Sequence, residues 1–140
     1  MKIVTTRFGE IDVPDPQVYS FPEGILGFAD LRTYAIHAPK PGPFQWLQSA
    51  EVPSLAFVVT DPGLFFPDFG VQSRPEDLAQ IQLSSAGDAV VLVILTVPKN
   101  PAEITANLVG PLVFNAKAKL ARQVVMSDPK WSTKHRLFQS

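Results

Sequence analysis

From Ala89 to Leu95 the chain runs AVVLVIL, without one polar side chain, and Thr96-Val97-Pro98 follows. In an extended strand, Val91, Val93, Leu95 and Val97 point one way and Val90, Leu92 and Ile94 the other, so both sides need cover. Such a strand belongs in the middle of a sheet or barrel, where each buried aliphatic side chain contributes roughly 1.5–3 kcal/mol. Pro98 ends it, because proline has no N–H for the ladder and holds its own φ. The run falls far short of the ~20 apolar residues a membrane-spanning helix needs.

Shorter candidate strands lie on either side. Ile3–Phe8 and Ile11–Val13 flank Gly9-Glu10, which suits a two-residue type II′ hairpin turn. Gln17–Phe21, Tyr34–His37, Phe44–Ser49, Leu55–Thr60, Leu112–Asn115 and Leu120–Met126 follow, divided by proline and glycine. In Phe44–Ser49, the side chains of Phe44, Trp46 and Gln48 share one side, those of Gln45, Leu47 and Ser49 the other. The clearest helix start has Ser73 as cap, with Pro75, Glu76 and Asp77 in the first turn. Gly24 and Gly27 of GILGF read as turn positions; no Lys-Ser/Thr follows them as a phosphate loop requires. Short strands, many breaks and a single weak helix predict a mainly β, antiparallel sandwich or barrel, one domain over residues 1–140 with one or two short helices.

The chemistry-bearing residues are sparse. With no cysteine there is no disulfide framework and no thiolate metal site. The start, MKIVTTRFGEID, lacks the apolar core of an export signal, so a soluble protein is expected. His37 reads as a strand-end rim residue and His135 as a surface residue, neither with a convincing partner for acid–base work, and no nucleophile elbow or metal-ligand spacing occurs. No enzyme and no cofactor are expected. The aromatic stretch Phe65-Phe66-Pro67-Asp68-Phe69 reads as a lid on the core.

The formal net charge of −1 hides an asymmetry. Residues 1–116 hold twelve acids and six bases; residues 117–140 hold Asp128 against six bases, ending in a basic C-terminal tail over 130–140. That tail reads as a solvated face, or as a surface for an acidic partner. RNA binding through the tail, with Trp131 and Phe138 stacking on bases, is the second reading. The acidic body disfavours it by repelling a polyanion over a Debye length of about 8–10 Å.

Several blocks in order, FPEGILGF (21–28), FQWLQS (44–49), VVTDPGLFFPDF (58–69), ILTVP (94–98), TANLVGPLVFN (105–115) and ARQVVM (121–126), resemble the FliW family of flagellar assembly factors over nearly the whole chain. The resemblance implies a small cytoplasmic protein with an antiparallel β-barrel-like (pseudo-barrel) fold and no catalysis. It implies two protein partners, flagellin and the translational regulator CsrA, bound in mutually exclusive complexes that couple flagellin synthesis to secretion. No membrane and no direct nucleic acid are implied. The chain departs from the family at Asp68-Phe69, where an aspartate-tyrosine pair is usual, and at Lys134-His135-Arg136-Leu137, where arginine-histidine-proline-leucine is usual. Partner contact is expected at an exposed edge around Gln45 and Gln48, at Phe66, Asp68 and Phe69, and at Glu76 and Asp77: an apolar centre with an acidic rim. The competing reading is that these aromatics are core.

Overall fold

A computed structural model describes residues 1–138. Its strands are β1 (Lys2–Thr5), β2 (Gly9–Asp12), β3 (Val18–Ser20), β4 (Thr33–His37), β5 (Phe44–Ser49), β6 (Ala56–Thr60), β7 (Val90–Thr96), β8 (Thr105–Ala106), β9 (Leu112–Asn115), β10 (Leu120–Gln123) and β11 (His135–Arg136), with one short helix α1 (Pro75–Ala79). The expected central strand is β7. Its first half pairs with β9 and its second half with β8, while β6 lies along its other edge. Following β7-β6-β5-β4-β3-β10-β9 and back to β7 closes a barrel of seven strands. All these pairings are antiparallel except β3 with β10, which meet in parallel at Ser20 and Leu120.

Alternation along β7 sorts its side chains into two cores, as the sequence requires. Leu92 and Ile94 face the barrel interior with Phe21, Tyr34, Leu47, Val59 and Phe114. Val93 and Leu95 face outward into a second cluster with Phe66, Ile104, Leu108 and Leu137. The interior is filled by rings in edge-to-face contact: Phe21 on Tyr34 at 5.2 Å, Phe21 on Phe114 at 5.7 Å and Tyr19 on Phe114 at 5.0 Å. Each such pair adds about 0.5–1.5 kcal/mol to the burial of its rings. Burial, and then the charge of Glu51, push the Tyr34 phenol up to about 12, so it stays protonated in the core through neutral pH.

Two expectations need correction, and a third holds only in part. The first hairpin forms, but Gly9 pairs with Thr5 and the turn is Thr6-Arg7-Phe8. Gly9, at φ +69°, is the left-handed residue that re-enters the ladder directly after a three-residue loop instead of opening a two-residue one. Helix α1 is capped at Arg74, not Ser73: the Asp77 carboxylate reaches back to accept from the Arg74 N–H at 3.4 Å, and Pro75 starts the first turn. The C-terminal tail keeps a solvated face, with Lys130, Lys134 and Arg136 exposed, but it is not detached from the body. Through residue 138 it lies against the barrel, with β11 paired to β8, Leu137 buried, and Trp131 packed on the outer cluster. Gln139 and Ser140 lie outside the described residues.

Candidate protein-interaction surface

One line of register partners crosses the outside of the sheet: His37, Trp46, Val58, Leu95, Ala106 and His135, from β4, β5, β6, β7, β8 and β11 in turn. Its middle members floor an open groove of about 590 Å³ whose walls include Arg7, Phe44, Val97 and Ile104. Arg7 lies over the Trp46 ring at 4.5 Å, and Phe8 meets the same ring edge-on, so the β1–β2 turn forms one wall. Phe44 stacks on Phe65 at 6.0 Å, and Phe65 meets Phe138 edge-on, which carries the aromatic surface on to the residues that follow β11. Phe44 and Val97 are 36% and 51% exposed. The groove is therefore apolar, open to water, and built on paired strands whose backbones are already fixed.

The residues expected to touch partners separate into three groups. Gln45 and Gln48 are on no edge, since β5 lies between β4 and β6. Gln45 is half-buried at the barrel mouth beside Gln17 and Ile36. Gln48, on the opposite face, is fully buried: its register partner Ala35 lies in the cluster under the β1–β2 hairpin, and its Nε2 donates to the carbonyls of Ser49, Pro53 and Leu55. The expected exposure of Gln48 is thus corrected, because hydrogen bonds to backbone carbonyls let a polar side chain go inside.

Phe66 is buried as well, edge-on to His135 at 5.3 Å, in the outer cluster with Leu95 and Ile104. Phe69 is half-buried against Trp131, and the exposed Asp68 is 3.5 Å from the Lys130 ammonium. The lid expected of this aromatic loop is present. In the third group Glu76 is exposed, while Asp77 is buried and cannot form a solvent-facing rim. Asp77 accepts from Arg74 and, at 3.2 Å, from Arg122 Nε on β10. Among the described residues no hydrogen bond or ion pair joins the three groups.

The groove residues Trp46, Val58 and Leu95 were missed as a site. Each sits at an outward position of an alternating strand, but only cross-strand register brings them into one line.

Two of the six late bases meet acids of the body in space. Of the late bases, Arg122 is held by Asp77, Lys130 lies near Asp68 and over the Trp131 ring, and Arg136 donates to the carbonyl of Ala102. His37 packs edge-on against Phe8 at 4.8 Å, and His135 against Phe66 and Trp131. No helix among the described residues is long and apolar enough to cross a membrane.

Comparison with known proteins agrees with this architecture. The FliW protein family matches residues 2–137. The flagellar assembly factor FliW of Geotalea uraniireducens is 39% identical over 140 residues, covering 100% of this chain and 86% of that protein. That of Treponema denticola is 40% identical over 135 residues, covering 96% of this chain and 92% of its own length. A crystal structure of the flagellar assembly factor FliW superposes with a TM-score of 0.92 at 34% identity, covering 100% of this chain and 99% of that one. With sequence and barrel alike from end to end, the chain belongs to the FliW family.

Proposed function

We propose that this protein is a cytoplasmic flagellar assembly factor that acts by presenting its outer groove to two protein partners in turn. Flagellin occupies it first, through the apolar face of a terminal helix. Once flagellin has been exported, the freed protein binds CsrA and relieves repression of flagellin synthesis. Because the two complexes exclude each other, the free flagellin concentration sets how much protein is left for CsrA. The observation that carries this reading is the Trp46–Val58–Leu95 floor with exposed Phe44 and Val97 beside it. An amphipathic helix places its anchors at i, i+3, i+4 and i+7, and an open apolar groove on a rigid sheet accepts them with little ordering cost. Asp68 and Phe69 contribute at the aromatic loop, with Gln45 and Glu76 as outlying polar contacts; the buried Gln48, Phe66 and Asp77 make no direct contact with a partner.

Phe44→Glu is expected to weaken binding of flagellin and of CsrA at least tenfold, a loss of about 1.4 kcal/mol each, while circular dichroism and the melting temperature stay near those of the parent. Titration calorimetry with each purified partner measures this. Unchanged affinity for both partners in the folded variant would place recognition elsewhere.

A further inference from the structure

A second apolar surface lies where the GILG turn meets the end of β10, and it shares no lining residue with the outer groove. Leu26 and Val125 are the two most exposed large apolar side chains among the described residues, at 71% and 65%. Both line one hollow of about 250 Å³. Single exposed aliphatic residues are ordinary on protein surfaces. These two differ in lining one hollow on hydrogen-bonded backbone, the Leu26 N–H on Gln123 and the N–H groups of Val124 and Met126, either side of Val125, on Pro111 O and Val109 O.

The Leu26 N–H donates to Gln123 Oε1 at 2.8 Å, and Gln123 Nε2 donates to the Gly110 carbonyl at 3.0 Å, so one side chain ties the turn to the barrel. Inside the turn, the Gly24 N–H donates to Phe21 O and the Phe28 N–H to Ile25 O, while Ile25 is buried in the core as an anchor. Leu26 is thus held out in water by a turn whose ordering cost was met on folding.

The charges around the hollow are uneven. Arg122, the only cation lining it, has its Nε on Asp77 and its Nη1 on Gln80. Glu23, which also lines it, has no ion-pair partner among the described residues. What the hollow offers is aliphatic surface beside an uncompensated carboxylate.

We propose that this hollow docks a short basic and aliphatic segment of a partner protein, with one aliphatic side chain between Leu26 and Val125 and a lysine or arginine on Glu23. It is a surface separate from the groove, and both can be filled at once. The charge argues against an anionic lipid surface as the occupant.

The test is an NMR titration of the 15N-labelled full-length protein with a helical leucine–lysine peptide and with its leucine–glutamate counterpart. Saturable shifts at the amides of Leu26, Gly27 and Val125 with the lysine peptide alone are expected. Leu26→Asp and Glu23→Lys should each weaken that binding tenfold or more, and Phe44→Glu should leave it unchanged. Shifts confined to the groove, equal shifts with the glutamate peptide, or indifference to Leu26→Asp would overturn the proposal. So would concentration-dependent shifts at the hollow without peptide, which would assign it to a second copy of this chain, or binding of the protein to phosphatidylglycerol vesicles that Leu26→Asp abolishes. Flagellin binding by the Leu26→Asp variant reports on the groove alone, so the two readings fail separately.

Discussion

Gly24→Ala is expected to lower the unfolding free energy by about 3 kcal/mol, measured by urea denaturation of the variant against the parent. Gly24 sits at φ +66°, where an L-residue costs roughly 1–2 kcal/mol more than glycine. A Cβ there would also fall 2.6 Å from the Phe28 carbonyl oxygen and 2.7 Å from the Ala29 Cα. Those are backbone atoms of the same tight turn and cannot rotate aside, so an overpacking cost of about 1–3 kcal/mol is added. Gly27 provides the control. Its φ is +89°, but a Cβ there meets nothing within 4 Å, so Gly27→Ala should show only the conformational part, about 1–2 kcal/mol. Equal losses at the two positions would mean that the close approach at Gly24 is not what holds the turn. Because the turn carries Ile25 inward and Leu26 outward, Gly24→Ala should also disturb the hollow beside Val125.

The barrel strands were legible because alternation is a local property. Phe44–Ser49 and Leu112–Asn115 form strands with the bounds the sequence suggests, and β7 divides its side chains between two cores as its double-sided apolar run requires. Gly24 and Gly27 likewise have positive φ, as turn glycines should. What alternation leaves open is which outside element covers an outward face. Gln48 looked solvent-facing until a hairpin from the start of the chain was laid over its register partner Ala35.

The same limit applies at the C-terminus. Trp131, His135 and Leu137 stand among bases and read as a solvated tail, yet Phe66 and Phe69, more than sixty residues earlier, take them into an apolar cluster. Closure of the barrel depends on a parallel contact at one residue pair, Ser20 with Leu120, too short to leave a pattern in the sequence. The groove shares this origin: its floor exists only when three strands are in register. Strand patterning indicated a sandwich or barrel and family resemblance chose the barrel; long-range register determined where a surface forms.

Asp77 carries the other large effect, and its neighbours set the size. Its side chain is buried, Arg122 is mostly buried beside it, and Arg74 is 74% exposed. Removing the carboxylate leaves the Arg122 guanidinium inside with Gln80 as its remaining partner, so Asp77→Ala should cost about 3 kcal/mol, the lower end for breaking a buried pair. Arg74→Ala takes away only a solvent-screened partner and should cost far less than Asp77→Ala. Acidity separates this from a packing loss. Burial pushes the Asp77 carboxyl up, but the Arg74 hydrogen bonds and the charges of Arg74 and Arg122 together outweigh burial and hold it below the usual carboxylate range. A carboxyl with a depressed folded pKa stabilises the protein fully above its unfolded value of about 4, and that stabilisation fades as pH falls through the folded value. The parent should therefore lose stability on acidification below about pH 4 more steeply than Asp77→Asn, whose side chain has no proton to gain. Glu51, held low by the N–H groups of Arg32 and Thr33, remains in the variant and keeps part of the slope. Parallel stability curves for parent and Asp77→Asn from pH 6 to pH 2.5 would show that α1 is held to β10 by packing and not by this carboxylate.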